Sequence, residues 1–111
     1  MLIILGYVHV EPSVLRQFKD DMKLLANSVR AREGNISYDV AVQDCLAGKL
    51  LISERWENQI ALSAHLESAE TVAFIDRWQN SMKGEILKYD VFNERGAYGI
   101  IIRRYDLSSL I

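Results

Sequence analysis

The chain has 111 residues, of which 50% are hydrophobic and 25% are charged, and its formal net charge is -2. This length predicts one domain with a single core, and the scattered Lys and Arg residues argue against a nucleic-acid surface. Neither a run of about 20 apolar residues nor a signal-peptide pattern is present, so we expect a cytoplasmic protein that does not cross a membrane.

The first half of the chain predicts a strand, a helix and a hairpin. The segment "LIILGYVHV" (2–10) is continuously apolar and rich in β-branched residues, which is typical of a strand buried on both faces. Pro12 stands at a favourable first-helix position, and the apolar residues after it recur at three- and four-residue steps. They predict an amphipathic helix that Gly34 ends. Segments 36–42 and 50–56 flank the polar turn "DCLAGK" and predict a hairpin.

The second half predicts two helical segments and a fourth strand. Asn58 is a suitable N-cap for the first helix, and Ser68 for the second, which Gly84 ends. "EILKYDVF" (85–92) predicts a strand, so the order is β-α-β-β-α-β, an α+β ferredoxin-like fold with a four-stranded antiparallel sheet. "YGIIIRRY" (98–105) predicts an extra C-terminal strand.

The first predicted strand offers apolar side chains to both faces of the sheet. One face receives Leu2, Ile4, Val8 and Val10, and the other receives Ile3, Leu5 and Tyr7. Two helical regions can cover only one face, and a large exposed apolar face is unusual in a soluble monomer. We therefore expect a homodimer in which a second copy covers the other face.

Three short motifs resemble the antibiotic biosynthesis monooxygenase (ABM) family. The matching residues are Glu33, Gly34 and Tyr38 after the first helix, Glu54 and Trp56 at a strand end, and Ala61, Leu62, His65 and Ser68 on a helix. The resemblance covers residues 1–93 and implies a dimeric α+β barrel. Residues 94–111 would then be a C-terminal extension, which we expect to form a strand at the dimer interface.

The resemblance also implies a chemistry. ABM proteins include oxygenases that use O₂ without metal, flavin or haem and act on electron-rich aromatics such as quinols and polycyclic phenols. A deprotonated phenol or quinol can itself reduce O₂, so the protein need only bind the anion in an apolar site. The sequence contains no glycine-rich phosphate motif. Its one cysteine, Cys45, and two histidines lack the spacing of a zinc site. We predict no cofactor and no bound metal.

His65 is the predicted catalytic residue. Histidine has an ordinary pKa of about 6.5, which suits the acceptance of a phenolic proton near neutral pH. The alternative is that His65 hydrogen-bonds the sheet and only fixes its helix. Glu54, on an apolar strand face, needs a partner, and a structural salt bridge to His65 or Arg77 is the favoured role for it. The other histidine, His9, lies near a strand end, where a structural role is expected.

The predicted substrate-binding residues are aromatic. Trp56 ends a strand, and Phe74 and Trp78 are four residues apart on one helix face. Each of these three side chains could either pack in the core or form part of the pocket wall. Tyr7 and Tyr38 lie in the middle of strands, where each could pack in the core or donate a hydrogen bond to a substrate oxygen.

Proteins of this fold also have functions other than cofactor-independent oxygenation. Haem-degrading relatives of similar fold use an asparagine on strand 1, a tryptophan near the position of His65 and a histidine on the last helix. This chain has "GYVHV" on strand 1 and Trp78 on the last helix, which disfavours haem degradation. A non-catalytic dimeric protein that binds a small ligand or regulates would share the fold and the pocket, so the sequence does not separate it from the oxygenase. An isomerase or lyase is a third possibility.

Overall fold

The computed structural model describes residues 1–97. The elements in chain order are β1 (Leu2–Val10), a single 3-10 turn (Pro12–Val14), α1 (Leu15–Arg30), β2 (Asn35–Asp44), β3 (Lys49–Trp56), α2 (Gln59–Glu67), α3 (Ala69–Trp78) and β4 (Met82–Asp90). The predicted ferredoxin-like order is confirmed. The predicted C-terminal strand (98–105) lies outside the described residues.

The four strands form one antiparallel sheet in the order β2-β3-β1-β4. β1 lies at its centre, and Gly6 is opposite Ile52 of β3 and Ile86 of β4. A Cβ atom at Gly6 would lie 2.1 Å from the carbonyl oxygen of Glu85. Because a backbone atom occupies that space, the pairing of β1 with β4 requires glycine here.

The core lies between one face of the sheet and the helices. Alternate residues of β1 and β3 point toward the helices, and the largest fully buried side chains are Trp56, Phe18, Leu50 and Val29. α1 packs on β2 and contacts α3, while α2 contacts β3. Burial of this apolar face stabilises the helical layer on the sheet.

Both predicted helix caps are confirmed, and both predicted glycine stops are displaced. Asn58 accepts a hydrogen bond from the backbone N–H of the third residue into α2, and Ser68 does the same for α3. α1 ends at Arg30, and Gly34, with φ of 82°, lies in the turn before β2. The stop predicted at Gly84 is wrong. α3 ends at Trp78, and Gly84 lies inside β4 because that strand begins two residues before it, where it pairs with the end of β1.

The second face of the sheet carries apolar side chains that no helix of the described residues covers. They are Ile3, Leu5 and Tyr7 of β1, Leu51 of β3, and Leu87 and Tyr89 of β4. We call this set the open sheet face. Four of its members are between 40% and 49% exposed. Within residues 1–97, no helix is both long enough and apolar enough to span a bilayer.

Candidate active site

A cavity of about 420 Å³ lies between the helix-facing side of the sheet and the three helices. Most of its wall is apolar and comes from β1, α1, α3 and β4. The polar or titratable side chains on the wall are Tyr38, Glu54, Gln59, His65, Thr71 and Lys88. An apolar cavity of this size with a few polar groups is typical of a small-molecule site.

His65 lies in the last turn of α2, and only 3% of it is exposed. Its ring stacks on Trp56, with centroids 4.9 Å apart and planes 24° apart. Tyr38 approaches the same ring edge-on at 5.9 Å. These two aromatic contacts fix the plane of the imidazole at the cavity wall.

The hydrogen bonds of His65 determine which ring nitrogen carries the proton. Nδ1 lies 3.1 Å from Nη1 of Arg32 and 3.2 Å from the hydroxyl of Thr71. A guanidinium can only donate, so Nδ1 must be the unprotonated acceptor. In the neutral ring the proton is therefore on Nε2, which lies 4.0 Å from Oε1 of Glu54. The only lone pair of the ring is used by Arg32.

Burial, and then the positive charge of Arg32, lower the pKa of His65 to about 4. The prediction that His65 titrates near neutral pH is wrong. The sequence did not show that the ring would be enclosed, nor that an arginine 33 residues away would lie beside it. A neutral ring whose lone pair is occupied is poorly suited to accept a proton.

Arg32 organises one end of the site and is the residue that sequence reasoning missed. It lies in the turn between α1 and β2, and Nη2 forms a salt bridge of 2.9 Å with Glu70. Nη1 also donates to the backbone carbonyl of His65 at 3.3 Å and to the hydroxyl of Ser68. The guanidinium thus joins this turn to the junction of α2 and α3. No local pattern identifies such a contact, because its partners come from distant parts of the chain.

Glu54 is a buried carboxyl group on β3, 8% exposed. Oε1 accepts a hydrogen bond of 2.9 Å from the indole N–H of Trp56. Burial raises the pKa of Glu54, and the hydrogen bond from Trp56 opposes part of that effect. Of the two partners suggested for a structural salt bridge, Arg77 is wrong, whereas His65 does lie 4.0 Å from Glu54. Arg77 pairs with Asp21 at 3.0 Å, and His65 is neutral at neutral pH, so its approach to Glu54 is not an ion pair.

Two of the five predicted substrate-binding aromatics, Tyr38 and Phe74, line the cavity. Tyr38 lies opposite Glu54 in the pairing of β2 with β3, so both side chains face the helices. Burial, with the nearby Glu54 carboxylate, raises the pKa of Tyr38, so its hydroxyl stays protonated. Tyr38 can therefore donate a hydrogen bond to a bound oxygen atom.

The other three predicted aromatics do not line the cavity, and their placement is corrected. Trp56 is fully buried behind the imidazole of His65. Trp78 packs edge-on against Phe18 at 5.0 Å and donates to Asp21 at 2.8 Å, so it joins α3 to α1. Tyr7 is on the opposite side of the sheet because strand side chains alternate, and Lys49 lies 4.2 Å above its ring.

Within residues 1–97, no three His, Cys, Asp or Glu side chains are grouped so that they could hold a metal ion. Cys45 is exposed in the turn between β2 and β3. The predicted absence of a cofactor stays a prediction.

Comparison with known proteins gives consistent results for sequence and fold. A family model of antibiotic biosynthesis monooxygenases matches residues 1–77. The chain is 27% identical over 75 residues to "Putative monooxygenase YcnE" of Bacillus subtilis, covering 68% of this chain and 79% of that protein. The crystal structure of a "putative antibiotic biosynthesis monooxygenase" from Deinococcus radiodurans superposes with a TM-score of 0.77 at 22% identity, covering 85% of this chain and 95% of that one. A protein of the same description from Nitrosomonas europaea gives 0.74 at 18% identity, covering 84% and 100%. At these identities the two structures establish the fold alone.

Proposed function

The chain belongs to the antibiotic biosynthesis monooxygenase family, and from that premise we propose that it oxygenates a quinol or polycyclic phenol with O₂, without metal, flavin or haem. In such a reaction the substrate is the reductant. A quinol that gives up its electrons to O₂ yields the hydroxyquinone and one molecule of water. One oxygen atom enters the product and the other leaves as water, so no external reductant is needed.

The observation that carries the proposal is the apolar cavity of about 420 Å³ with polar groups at one wall. Apolar walls exclude water and hold an aromatic ring. Tyr38, the Nε2–H of His65 and the Glu54 carboxyl lie on that wall and could bind substrate hydroxyl groups. This arrangement suits a substrate that must be desolvated and held as an anion near O₂.

The cavity residues have different roles in binding the substrate under this proposal. The side chain of Phe74 packs against the substrate ring, and Tyr38 donates to a substrate oxygen. His65 acts through its Nε2–H as a second donor, because its other nitrogen is held by Arg32. Trp56 supports the imidazole from behind. A donor role for His65 replaces the acceptor role expected from the sequence.

A second copy of this chain is the proposed partner, and the open sheet face is the proposed interface. Its contiguous apolar side chains are the kind of surface that soluble proteins bury. Because β1 pairs with strands on both sides, the face is broad and regular, and a two-fold axis could place one copy's sheet on the other. The interface should bury at least about 1,600 Å² in total, as stable dimers do.

Oxygen consumption with a panel of naphthoquinols and anthrones tests the proposed activity. Two variants on one face of α3 provide a matched pair. Ile75 lines the cavity and is 42% exposed, whereas Val72 is 45% exposed and does not line it. Replacing Ile75 with Trp should block the cavity and lower the rate, while Val72→Trp should leave it unchanged. A wild-type protein that consumes no oxygen with any panel member would contradict the proposal.

A ligand-binding protein without catalytic activity is the second candidate. It is favoured by one observation, namely that the lone pair of His65 is used by Arg32, so the base expected from the sequence is not free. In that case a quinone would bind in the same cavity and Ile75→Trp would abolish binding, but no oxygen would be consumed with the corresponding quinol.

A further inference from the structure

Glu54 is the one carboxyl group on the cavity wall among the described residues. Its Oε1 is held by the indole of Trp56. Its Oε2 takes part in no hydrogen bond of the described residues, yet no buried side-chain oxygen there lacks a partner. The side chain of Glu54 stays 10% accessible and lines the cavity, which leaves Oε2 as the oxygen that can face a ligand. One oxygen is anchored and the other faces the space a ligand would fill.

The other polar groups on the wall are unsuited to accept a proton. The lone pair of His65 is occupied by Arg32, and the hydroxyl of Tyr38 is itself protonated. Thr71 and Gln59 carry a hydroxyl and an amide, neither of which is a base in water. The ammonium group of Lys88 donates to Gln59 at 2.9 Å and has no lone pair. Glu54 remains.

We propose that Glu54 accepts the hydroxyl proton of the phenol or quinol bound in the cavity. This inference rests on the proposed function for its place in a reaction, but it concerns a contact that can be measured without turnover. The O–H bond of the substrate breaks, its electron pair stays on the substrate oxygen, and a new O–H bond forms at Oε2 of Glu54. The protein then holds a neutral carboxylic acid beside the substrate anion, which is the form that reduces O₂.

The surroundings of Glu54 suit this task. Its burial raises its pKa, which makes it a stronger base than an exposed glutamate and brings it closer to the pH at which a general base is most effective. The groups that face it are Tyr38 from β2, Trp56 from β3 and His65 from α2, with Arg32 behind the imidazole. The indole N–H of Trp56 donates to Oε1 and orients the carboxyl group, so we assign Trp56 as a positioning residue.

The test uses 4-nitrophenol, whose anion absorbs visible light, as a probe of the cavity. A carboxylate touching the phenol repels the phenolate, so the two groups share one proton and the pKa of the bound probe is raised. Glu54→Gln removes that charge while its amide oxygen can still accept from Trp56. We expect the pKa of the bound probe to fall by about one to three pKa units in this variant. The matched control is Glu67→Gln, which removes an exposed carboxyl group that does not line the cavity and should leave the probe pKa within a few tenths of wild type.

The outcomes separate this inference from the proposed function. An unchanged probe pKa in folded Glu54→Gln would show that Glu54 does not contact the ligand. That result would overturn the inference whether or not the wild type consumes oxygen. If the panel shows activity, Glu54→Gln should lower the rate about 10²–10⁴-fold while its affinity for a quinone changes little. If the wild type is inactive on the panel, the oxygenase proposal fails and the probe still decides the contact.

A third measurement covers the case in which Glu54→Gln does not fold. In wild-type protein with ¹³C- and ¹⁵N-labelled glutamate, the Glu54 carboxyl signal is assigned through its correlation with the backbone and is followed as the pH changes. A titration midpoint that moves when 4-nitrophenol binds supports the inference, and one that does not move overturns it.

Discussion

Acidification should destabilise the fold through His65. Its pKa is about 4 in the folded protein and about 6.5 in an unfolded chain. Because the folded-state value is the lower one, the fold favours the neutral ring. This contribution is complete above pH 6.5 and is lost as the pH falls toward 4. A difference of about 2.5 pKa units at about 1.36 kcal/mol each corresponds to about 3 kcal/mol.

The contribution of Glu54 to the free energy of unfolding changes with pH in the opposite direction. The comparison therefore uses two proteins that both lack this carboxyl group. Its pKa is raised in the fold, so its protonation at low pH stabilises the folded state and masks part of the loss. We therefore compare Glu54→Gln with Glu54→Gln/His65→Asn. Neither cause of the low pKa of His65 involves Glu54. Asn at position 65 can place its amide oxygen near the position of Nδ1, so Arg32 keeps an acceptor.

Urea denaturation at pH 7 and at pH 4 gives the free energies of unfolding. The other titrating groups are common to both proteins and cancel in the difference. Glu54→Gln should lose about 3 kcal/mol more between the two pH values than the double variant. Equal losses would refute the placement of His65, as would an NMR titration in which its ring protonates with a midpoint between pH 6 and 7.

Three further predictions follow from the contacts. Arg32→Gln removes the positive charge beside His65, so NMR should show the pKa of His65 rise above 4 but stay below 6.5, where burial still holds it; an unchanged value would exclude the arginine as a cause. Leu5→Glu on the open sheet face should convert the dimer to monomers in light scattering, whereas Leu46→Glu, in a turn and 87% exposed, should not; a dimer that persists in both would locate the interface elsewhere. Tyr38→Phe should lower kcat/KM about 2–10-fold through the loss of one hydrogen bond, and a wild-type value would place the hydroxyl away from the substrate.

The order of elements was predictable from the sequence because it depends on local patterns. The alternating apolar residues of the strands and the capping side chains Asn58 and Ser68 act within a few residues of themselves. The boundaries between helices and strands were harder to predict where two sequence patterns overlap. Met82 continues the apolar spacing of α3 and also begins β4, so the helix was predicted to extend too far.

The cavity wall was predictable only in part. His65, Tyr38 and Phe74 do line it, but the sequence could not tell which of the aromatic side chains reach the cavity and which stand behind it. Trp56 shares a strand face with Glu54, and only the packing of α2 decides that the carboxyl group faces the cavity while the indole lies under the imidazole.

The electrostatics of the site were the least predictable part. An expected pKa near 6.5 for His65 assumed a solvated ring, whereas folding encloses the ring and places a guanidinium on it. The same enclosure raises the pKa of Glu54, for which the sequence predicted a structural role. Both changes come from contacts between segments distant in the chain.

Turnover with oxygen-18-labelled O₂ tests the central claim most directly. A quinol from the panel is incubated with the protein in labelled O₂ and unlabelled water, without any added reductant. The mass of the product is then measured by mass spectrometry. The account predicts a hydroxylated quinone that carries one labelled oxygen atom, formed much more slowly by Glu54→Gln. A product without label, or no product beyond the quinone that forms without protein, would contradict it.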